Sequence, residues 1–389
     1  MRIAVFGGSF NPPHNGHVRA ALTATAALAA GRLIVIPAAN PPHKAQAADT
    51  PPAEDRLTLT RLAFSGLENV EVSDIELRRG GLSYTVDTVS ALKARYPGDE
   101  LVLLAGTDML ATLEDWRDFR AILADAAFAA FPRRQGEEAR IDSLAAHFSN
   151  AYGAGVYRIA LVPEALTSTE LRSLLKSRAG NNFLSAAVYN EIIRKRYYGA
   201  QPNLDWLRER AGAYLDEKRV PHVAGCEREA VRLARRWGAD PGLAAEAGIL
   251  HDITKKLKGP EQLILCEEYG IIADVDEKAN YKLLHAKTGA AFARSHFGVG
   301  DEVYSAIFWH TTGRADMSLL DKIIYIADYI EPTRDFAGLD KLRALAYSDL
   351  DAALIQGLEM SIADLESRGG TPHVNSLAAL QWLVEHKTI

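Results

Sequence analysis

Cysteine is scarce in this chain, and a long apolar run is missing. Two cysteines in 389 residues, Cys226 and Cys266, cannot build a disulfide framework, so a reducing, cytoplasmic setting is expected. The start of the sequence lacks the basic flank, apolar stretch and cleavage site of a secretory signal. The Ala-rich stretch after Arg19 is too short and too often interrupted by Thr to span a bilayer, so no membrane partner is expected. A basic excess is also missing. The formal net charge is -6, which argues against general nucleic-acid binding but leaves room for a local basic pocket for a mononucleotide. There is no internal repeat and no low-complexity tract. What is present is ordinary globular material, 48% hydrophobic, in a length that favours two or three domains.

The two halves are patterned differently. Short apolar runs at 3–6, 33–36, 70–75, 101–104, 128–131 and 157–162 read as strands, and amphipathic segments such as 18–30 fall between them. That alternation predicts an α/β domain, Rossmann-like, with a parallel sheet covered by helices. From Trp206 onward helical spacing takes over, for example at 222–237, 319–330 and 350–365, so an all-α domain is expected there. The breaker-rich Gly199-Ala200-Gln201-Pro202-Asn203 places the boundary. The expected domains are 1–199 and 206–389.

Directly after the first strand comes Gly7-Gly8-Ser9-Phe10-Asn11-Pro12-Pro13-His14-Asn15-Gly16-His17. A parallel sheet delivers ligands to the carboxyl ends of its strands. Glycines there let backbone N–H groups approach a phosphate, and the next helix adds its positive end. His14 and His17 can donate hydrogen bonds to a phosphoryl group as charge builds on it. This string resembles the nucleotidylyltransferase superfamily with its His-x-Gly-His signature, and more closely the bacterial nicotinate-nucleotide adenylyltransferases. Further segments over about 1–199 extend the likeness. Asn40-Pro41-Pro42-His43-Lys44 is similar to the family's second loop, whose lysine meets the nucleotide phosphates. Gly80-Gly81-Leu82-Ser83-Tyr84-Thr85 resembles the stretch that cradles the nicotinate ring. Gly106-Thr107-Asp108 and Trp116 resemble the family's Gly-Ala-Asp and its ring-stacking tryptophan. Leu166-Thr167-Ser168-Thr169-Glu170-Leu171-Arg172 resembles its Ile-Ser-Ser-Thr-x-Ile-Arg motif. Thr107, Thr167 and Leu171 depart mildly from those patterns and keep size and local role.

The resemblance implies transfer of AMP from ATP to nicotinate mononucleotide, with Mg arriving on the ATP. Nicotinate over nicotinamide mononucleotide is the family's preference rather than a reading of residues. Catalytic roles fall to His14, His17, Lys44 and Arg172; Gly7, Gly8, Ser9, Phe10, Tyr84, Thr85, Gly106, Asp108, Trp116, Arg134, Ser168 and Thr169 are expected to bind substrate. Ser168 and Thr169 can cap a helix and hold phosphate oxygens, and Arg172 can fork onto the triphosphate.

The second half carries His222, His251-Asp252 and Asp328. Asp328 lies in the apolar run Ile323-Ile324-Tyr325-Ile326-Ala327-Asp328-Tyr329-Ile330, where a carboxylate is costly unless paired or metal-bound. Two imidazoles and two carboxylates on three helices suit a divalent transition metal. This order of ligands resembles the HD-domain phosphohydrolases. His310-Thr311-Thr312-Gly313-Arg314 and Lys322–Pro332 resemble one family among them, the bacterial symmetrical diadenosine tetraphosphate hydrolases. The resemblance implies iron and release of ADP, with His285 and His310 at second-metal positions. By ligand type alone, manganese, cobalt or nickel fit equally, as one ion or two. Lys255, Thr312 and Arg314 are expected at the polyphosphate, and Asp252 is expected to bridge if two metals bind. The combined expectation is a bifunctional enzyme on small nucleotides. Two alternatives for the second half stay open: a nucleotide-sensing regulatory module, or hydrolysis of another phosphate ester. Oligomeric state, a homo-oligomer included, is left open.

Overall fold

A computed structural model describes residues 1–42, 47–164 and 166–386. It divides into two compact units, Met1–Gln201 and Pro202–Ile389.

The first unit is built on a six-stranded sheet in the order β3-β2-β1-β4-β5-β6, with β1 at Arg2–Gly8, β2 at Arg32–Pro37, β3 at Val70–Val72, β4 at Glu100–Gly106, β5 at Ala126–Phe131 and β6 at Val156–Arg158. Every pairing is parallel. Successive residues of β1 feed opposite faces. Ile3 and Val5 pack into one apolar cluster, Ala4 and Phe6 into the other. Burial on both faces is why these strands read as unbroken apolar runs rather than alternating ones. Strand order reverses between β1 and β4, and a crevice at such a switch point is where ligands bind in open α/β sheets. Gly7-Gly8 and Gly106-Thr107 lie at its lip.

Three elements differ from their sequence expectations. The run 70–75 stops pairing at Val72, because Asp74 opens a short helix at Ile75–Arg79. The run 157–162 leaves the ladder after Arg158. One further bond, from the Ile159 N–H to the Ala130 carbonyl at 2.8 Å, carries the chain to the end of β5 at Phe131, where Pro132 follows. The helix expected at 18–30 spans Asn15–Ala27. His14 caps it, and Ala29 turns left-handed at φ 47° and ends it.

The second unit is helical, with no strand among its described residues. Leu319–Ile330 is one helix, as its spacing predicts, and Leu350–Ser367 runs two residues beyond 365. Ile323, Ile324 and Ile326 are fully buried in a single apolar cluster, each contributing about 1.5–3 kcal/mol of burial. Glycine sets the spacing of two helices that carry polar ligands. A Cβ on Gly248, in Pro241–Leu250, would lie 2.8 Å from the Cα of Glu227 in Val220–Trp237. Only a bare backbone lets those helices approach so closely. No described helix is long and apolar enough to cross a membrane.

Candidate active sites

In the first unit two cavities adjoin at the ends of β1 and β4. One, of about 450 Å³, is lined by Tyr84, Thr85, Thr88 and Trp116 over an apolar floor of Val5, Ile36 and Leu103. The other, of about 490 Å³, is lined by His17, Arg56, Asp108, Arg133, Ser168, Thr169 and Arg172. Gly7, Gly8 and Ser9 line both. The first can take a flat, mostly apolar ring against Trp116. The second gathers cations and a helix N-terminus, which suits phosphates.

The histidine pair is held by its own turn. The His14 backbone N–H donates to His17 Nδ1 at 3.2 Å, so in the neutral ring His17 carries its proton on Nε2 and can donate it. The two rings lie 3.7 Å apart between centroids. Burial, reinforced by the charge of Arg133, pushes the His14 imidazolium down to about 4, so His14 stays neutral through ordinary pH. A folded pKa below the unfolded value means the unfolded chain binds more protons, so this stability is present above about 6.5 and is lost as pH falls towards 4. We expect thermal unfolding of the first unit to become progressively easier across that window, and a His14→Asn chain to show a flatter profile. Identical slopes in the two chains would refute it.

Several expected residues take different roles. Phe10 is 1% exposed and packs edge-on against Phe6 and Phe64; its ring belongs to the core, so only its backbone can reach a ligand. Thr167, not Ser168 or Thr169, caps the helix Ser168–Lys176, in a reciprocal box with Glu170. Ser168 instead donates to the Pro12 carbonyl at 3.3 Å, and Arg172 to the Asn11 carbonyl at 2.8 Å, which ties this helix to the histidine loop. Arg133, rather than Arg134, lines the phosphate-like cavity. Gly106 makes room for it, since a Cβ there would collide with the Arg133 side chain. The Arg134 backbone N–H is held by Glu137 at 3.1 Å. Asp108 is largely exposed and 3.8 Å from Arg133. Lys44 lies outside the described residues. Arg56 was not anticipated. It is buried and donates to the carbonyls of Ser9, Ala38 and Ala39 at 2.7–2.9 Å, bracing the Gly-Gly-Ser turn. Its only sequence signal was an arginine inside a helix, which no periodicity separates from a surface residue.

In the second unit, the expected ligands converge. His222 lies in the first turn of Val220–Trp237, and His251 ends Pro241–Leu250 with Asp252 next. His285 opens Leu284–Phe297, His310 ends Asp301–Trp309, and Asp328 sits in Leu319–Ile330. Asp252 divides the cluster. Its Oδ2 faces His222 Nε2 at 3.6 Å and His251 Nε2 at 3.4 Å. Its Oδ1 faces His285 Nε2 at 3.1 Å and His310 Nε2 at 3.6 Å. Asp328 Oδ1 closes the first group, 3.0 Å from His222 Nε2. His222, His251 and Asp328 form one set compact enough to hold an ion, and His251, Asp252 and His310 another.

The donor chemistry fits a cation. Each ring spends its Nδ1 elsewhere: His251 on the Gly248 carbonyl, His285 on Lys282, His310 on Ile307, and His222 on Glu331. Neutral rings with Nδ1–H present lone pairs at Nε2. The Nε2 atoms converge in pairs, 3.2 Å apart for His222 and His251 and 3.1 Å apart for His285 and His310. Ring nitrogens and carboxylate oxygens gathered this closely could all turn lone pairs to one cation, and the Lys255 ammonium already lies 2.9 Å from His285 Nε2. Asp252 Oδ1, buried, also accepts no well-formed hydrogen bond. Burial lowers His285 to about 4 and also lowers His310, which keeps both rings in the neutral form that ligates metal. Burial disfavours the Asp252 carboxylate, but His251 and the neighbouring rings hold it well below the usual range.

A second layer of residues went unread in the sequence. Arg219 pairs with Asp252, and Arg334 with Asp328 at 2.6 Å. Glu331, fully buried, accepts from His222 Nδ1 at 3.0 Å and from the Thr333 N–H at 2.7 Å. Gly225 is why Glu331 fits, because a Cβ there would overlap its carboxylate. Such partners orient the ring and raise its basicity. Glu331→Gln should weaken metal affinity about 10–100-fold, read by metal competition with a chelator; unchanged affinity would show Glu331 to be only structural. Lys255 Nζ lies 2.9 Å from His285 Nε2 and 3.9 Å from Asp252, beside the cluster as expected. Arg314 is spent on Asp321 at 3.1 Å, because that helix-capping carboxylate lies within its reach. Thr312 is nearly buried and lines a separate recess.

Comparison with known proteins matches both halves. The cytidylyltransferase-like family matches residues 5–174, and the HD domain family matches residues 219–333. A Mycoplasma pneumoniae protein named "Probable nicotinate-nucleotide adenylyltransferase/Ap4A hydrolase" is 30% identical, over 85% of this chain and 88% of that protein. Its Mycoplasma genitalium counterpart, of the same name, is 28% identical over 91% of this chain and 96% of its own length. A Halalkalibacterium halodurans protein named "Bis(5'-nucleosyl)-tetraphosphatase, symmetrical" is 40% identical over 45% of this chain and 94% of its own length.

Proposed function

Because this chain belongs to the family of bifunctional nicotinate-nucleotide adenylyltransferase/Ap4A hydrolases, we propose that its two sites divide those two reactions as their geometry suggests. The first unit transfers AMP from ATP to nicotinate mononucleotide, giving nicotinate adenine dinucleotide and pyrophosphate. The observation that carries this is the shared Gly7-Gly8-Ser9 wall between the ring-shaped and the cationic cavity. A mononucleotide in one and ATP in the other would bring the attacking phosphate to the α-phosphorus at that wall. No covalent nucleophile is needed. His17 donates from Nε2 to the phosphoryl oxygens, and Arg172 and Arg133 offset their charge. Lys44 adds a further positive charge, as the resemblance implies. Tyr84, Thr85 and Trp116 hold the nicotinate ring, with Arg117 over Tyr84 at 4.7 Å. Mg travels with the ATP.

The second unit hydrolyses diadenosine tetraphosphate symmetrically to two ADP. Convergence of four imidazole Nε2 atoms on the two Asp252 oxygens carries this half of the reading. His222, His251, Asp252 and Asp328 would hold one divalent cation, and Asp252, His285 and His310 a second, with iron the metal the resemblance implies. Such ions lower the pKa of bound water and clamp phosphate oxygens. Lys255, at the mouth of the cluster, offsets charge on the phosphate chain. The two buried, free cysteines fit a cytoplasmic setting.

The test is product analysis with the full chain. Nicotinate mononucleotide and ATP should give the dinucleotide. Diadenosine tetraphosphate under anaerobic iron, or with manganese, should give ADP alone. AMP plus ATP would overturn symmetric cleavage. No turnover with iron, manganese, cobalt or nickel would overturn the hydrolase assignment.

A further inference from the structure

Glu331 and Arg334, which touch His222 and Asp328, sit on one short turn, and a side chain from a later helix grips that turn by its main chain. The helix Leu319–Ile330 stops at Ile330, and Glu331 departs at φ -56° and ψ 157°. Pro332 follows and has no N–H to give. The last carbonyls of a helix have no partner within it. Here Arg343, in the helix Leu339–Ser348, supplies one. Its Nε donates to the Ile330 carbonyl at 2.9 Å and its Nη2 to the Glu331 carbonyl at 3.0 Å, with the Arg334 carbonyl at 3.4 Å. A planar guanidinium can fork onto two acceptors, and a cation suits a helix C-terminus. All three acceptors are main-chain carbonyls, so Arg343 reaches the metal-ligand cluster only through the turn.

The turn delivers two side chains. Glu331 Oε1 meets His222 Nδ1 at 3.0 Å, and Arg334 Nη2 donates to Asp328 Oδ1 at 2.6 Å. The Glu331 carbonyl that Arg343 holds also accepts the Arg334 N–H at 3.0 Å. The gripping helix is in turn anchored to the helix that carries His222, Val220–Trp237. Tyr347 donates to Glu229 at 2.7 Å, Trp237 to the Ala346 carbonyl at 2.9 Å, and Arg236 to the Tyr347 carbonyl at 2.8 Å. The connections close a loop: from the His222 helix to the Arg343 helix, through Arg343 to the turn, and through Glu331 back to the His222 ring. The position of the Glu331 carboxylate is thereby measured from the same helix as the ring it orients. Behind the turn a cavity of about 580 Å³ is lined by Ile330, Pro332, Arg343 and Tyr347. Water entering there can replace a lost guanidinium at the two carbonyls, which lets a variant fold while the turn loosens.

We propose that Arg343 is a positioning residue for the metal cluster, locking the Glu331–Arg334 turn so that His222 and Asp328 stay in ligating orientation. This role rests on the metal reading of the cluster. Manganese binding by the full chain tests it, with free manganese read by electron paramagnetic resonance in competition with a chelator and with a melt of each metal-free chain. Arg343→Met should bind manganese about tenfold more weakly, the lower end of the usual loss of an outer partner. Arg343→Lys keeps the charge but not the fork, and should fall between that variant and the parent. In a Glu331→Gln chain, adding Arg343→Met should weaken binding by less than about threefold, because residues that act through one another do not add. A full further tenfold loss in that background would overturn the proposal. So would parental affinity in the Arg343 variants, with or without a lowered melting temperature, since a merely structural clamp predicts that result. If Arg343→Met does not fold, Arg343→Lys carries the same comparison, alone and with Glu331→Gln. A folded parent chain that takes up no manganese would instead sink the metal reading, and the positioning role with it.

Discussion

Asp252→Ala should lower diadenosine tetraphosphate hydrolysis by about 10³-fold or more, equivalent to roughly 4 kcal/mol of transition-state stabilisation. The carboxylate faces His222 and His251 with one oxygen and His285 and His310 with the other. Its removal therefore strips a donor from both groups at once, and it leaves the Arg219 guanidinium without its partner. Breaking a buried ion pair on one side is costly in itself, so the measurement pairs activity with bound metal by elemental analysis and with a circular dichroism melt. Asp252→Asn keeps the volume and should lose metal and turnover almost as fully. Adenylyl transfer should be unchanged in both variants, because Asp252 belongs to the second compact unit. A folded Asp252→Ala chain that retains metal and turns over within tenfold of the parent would show that the aspartate is not the bridge.

His17→Ala should cut kcat for adenylyl transfer by about 10²–10³-fold, the usual effect of losing a preorganised donor to developing negative charge. The ring takes its orientation from the His14 N–H on Nδ1, which leaves Nε2 as the donating atom, and it lines the cavity with Arg172 and Ser168. KM for ATP should move far less than kcat, since the donor matters most when charge has built up. A rise in KM with kcat intact would instead make His17 a ground-state contact. Diadenosine tetraphosphate hydrolysis in the same protein serves as the folding control.

Much of this molecule could be read in the residues. Two-sided burial of a parallel sheet makes each strand a continuous apolar run, so β1, β2, β4 and β5 were legible. The Gly-Gly-Ser turn and both histidines were legible because a phosphate needs small residues and donors at one short spacing. Asp328 was legible as a candidate ligand because a carboxylate in an apolar run needs a cause, whereas the histidines, each bland by itself, were legible only through their order along the chain and its resemblance to the HD family.

Other features were decided by the fold alone. Strand ends depend on whether a neighbour continues: the run 157–162 makes a last bond from Ile159 to Ala130, next to the end of β5 at Phe131. Arg56, Arg219, Glu331 and Arg334 act on groups that are close in space. Their spacing in the chain carries no period, and a charged residue resembles a solvated one until its partner is placed. The same holds for Arg133 over Arg134 and for Arg314 on Asp321, where helix caps and close glycines settled which guanidinium points where. Chemistry that needs a particular residue type is written locally, while the orientation of that residue is set by side chains that arrive from elsewhere in the fold.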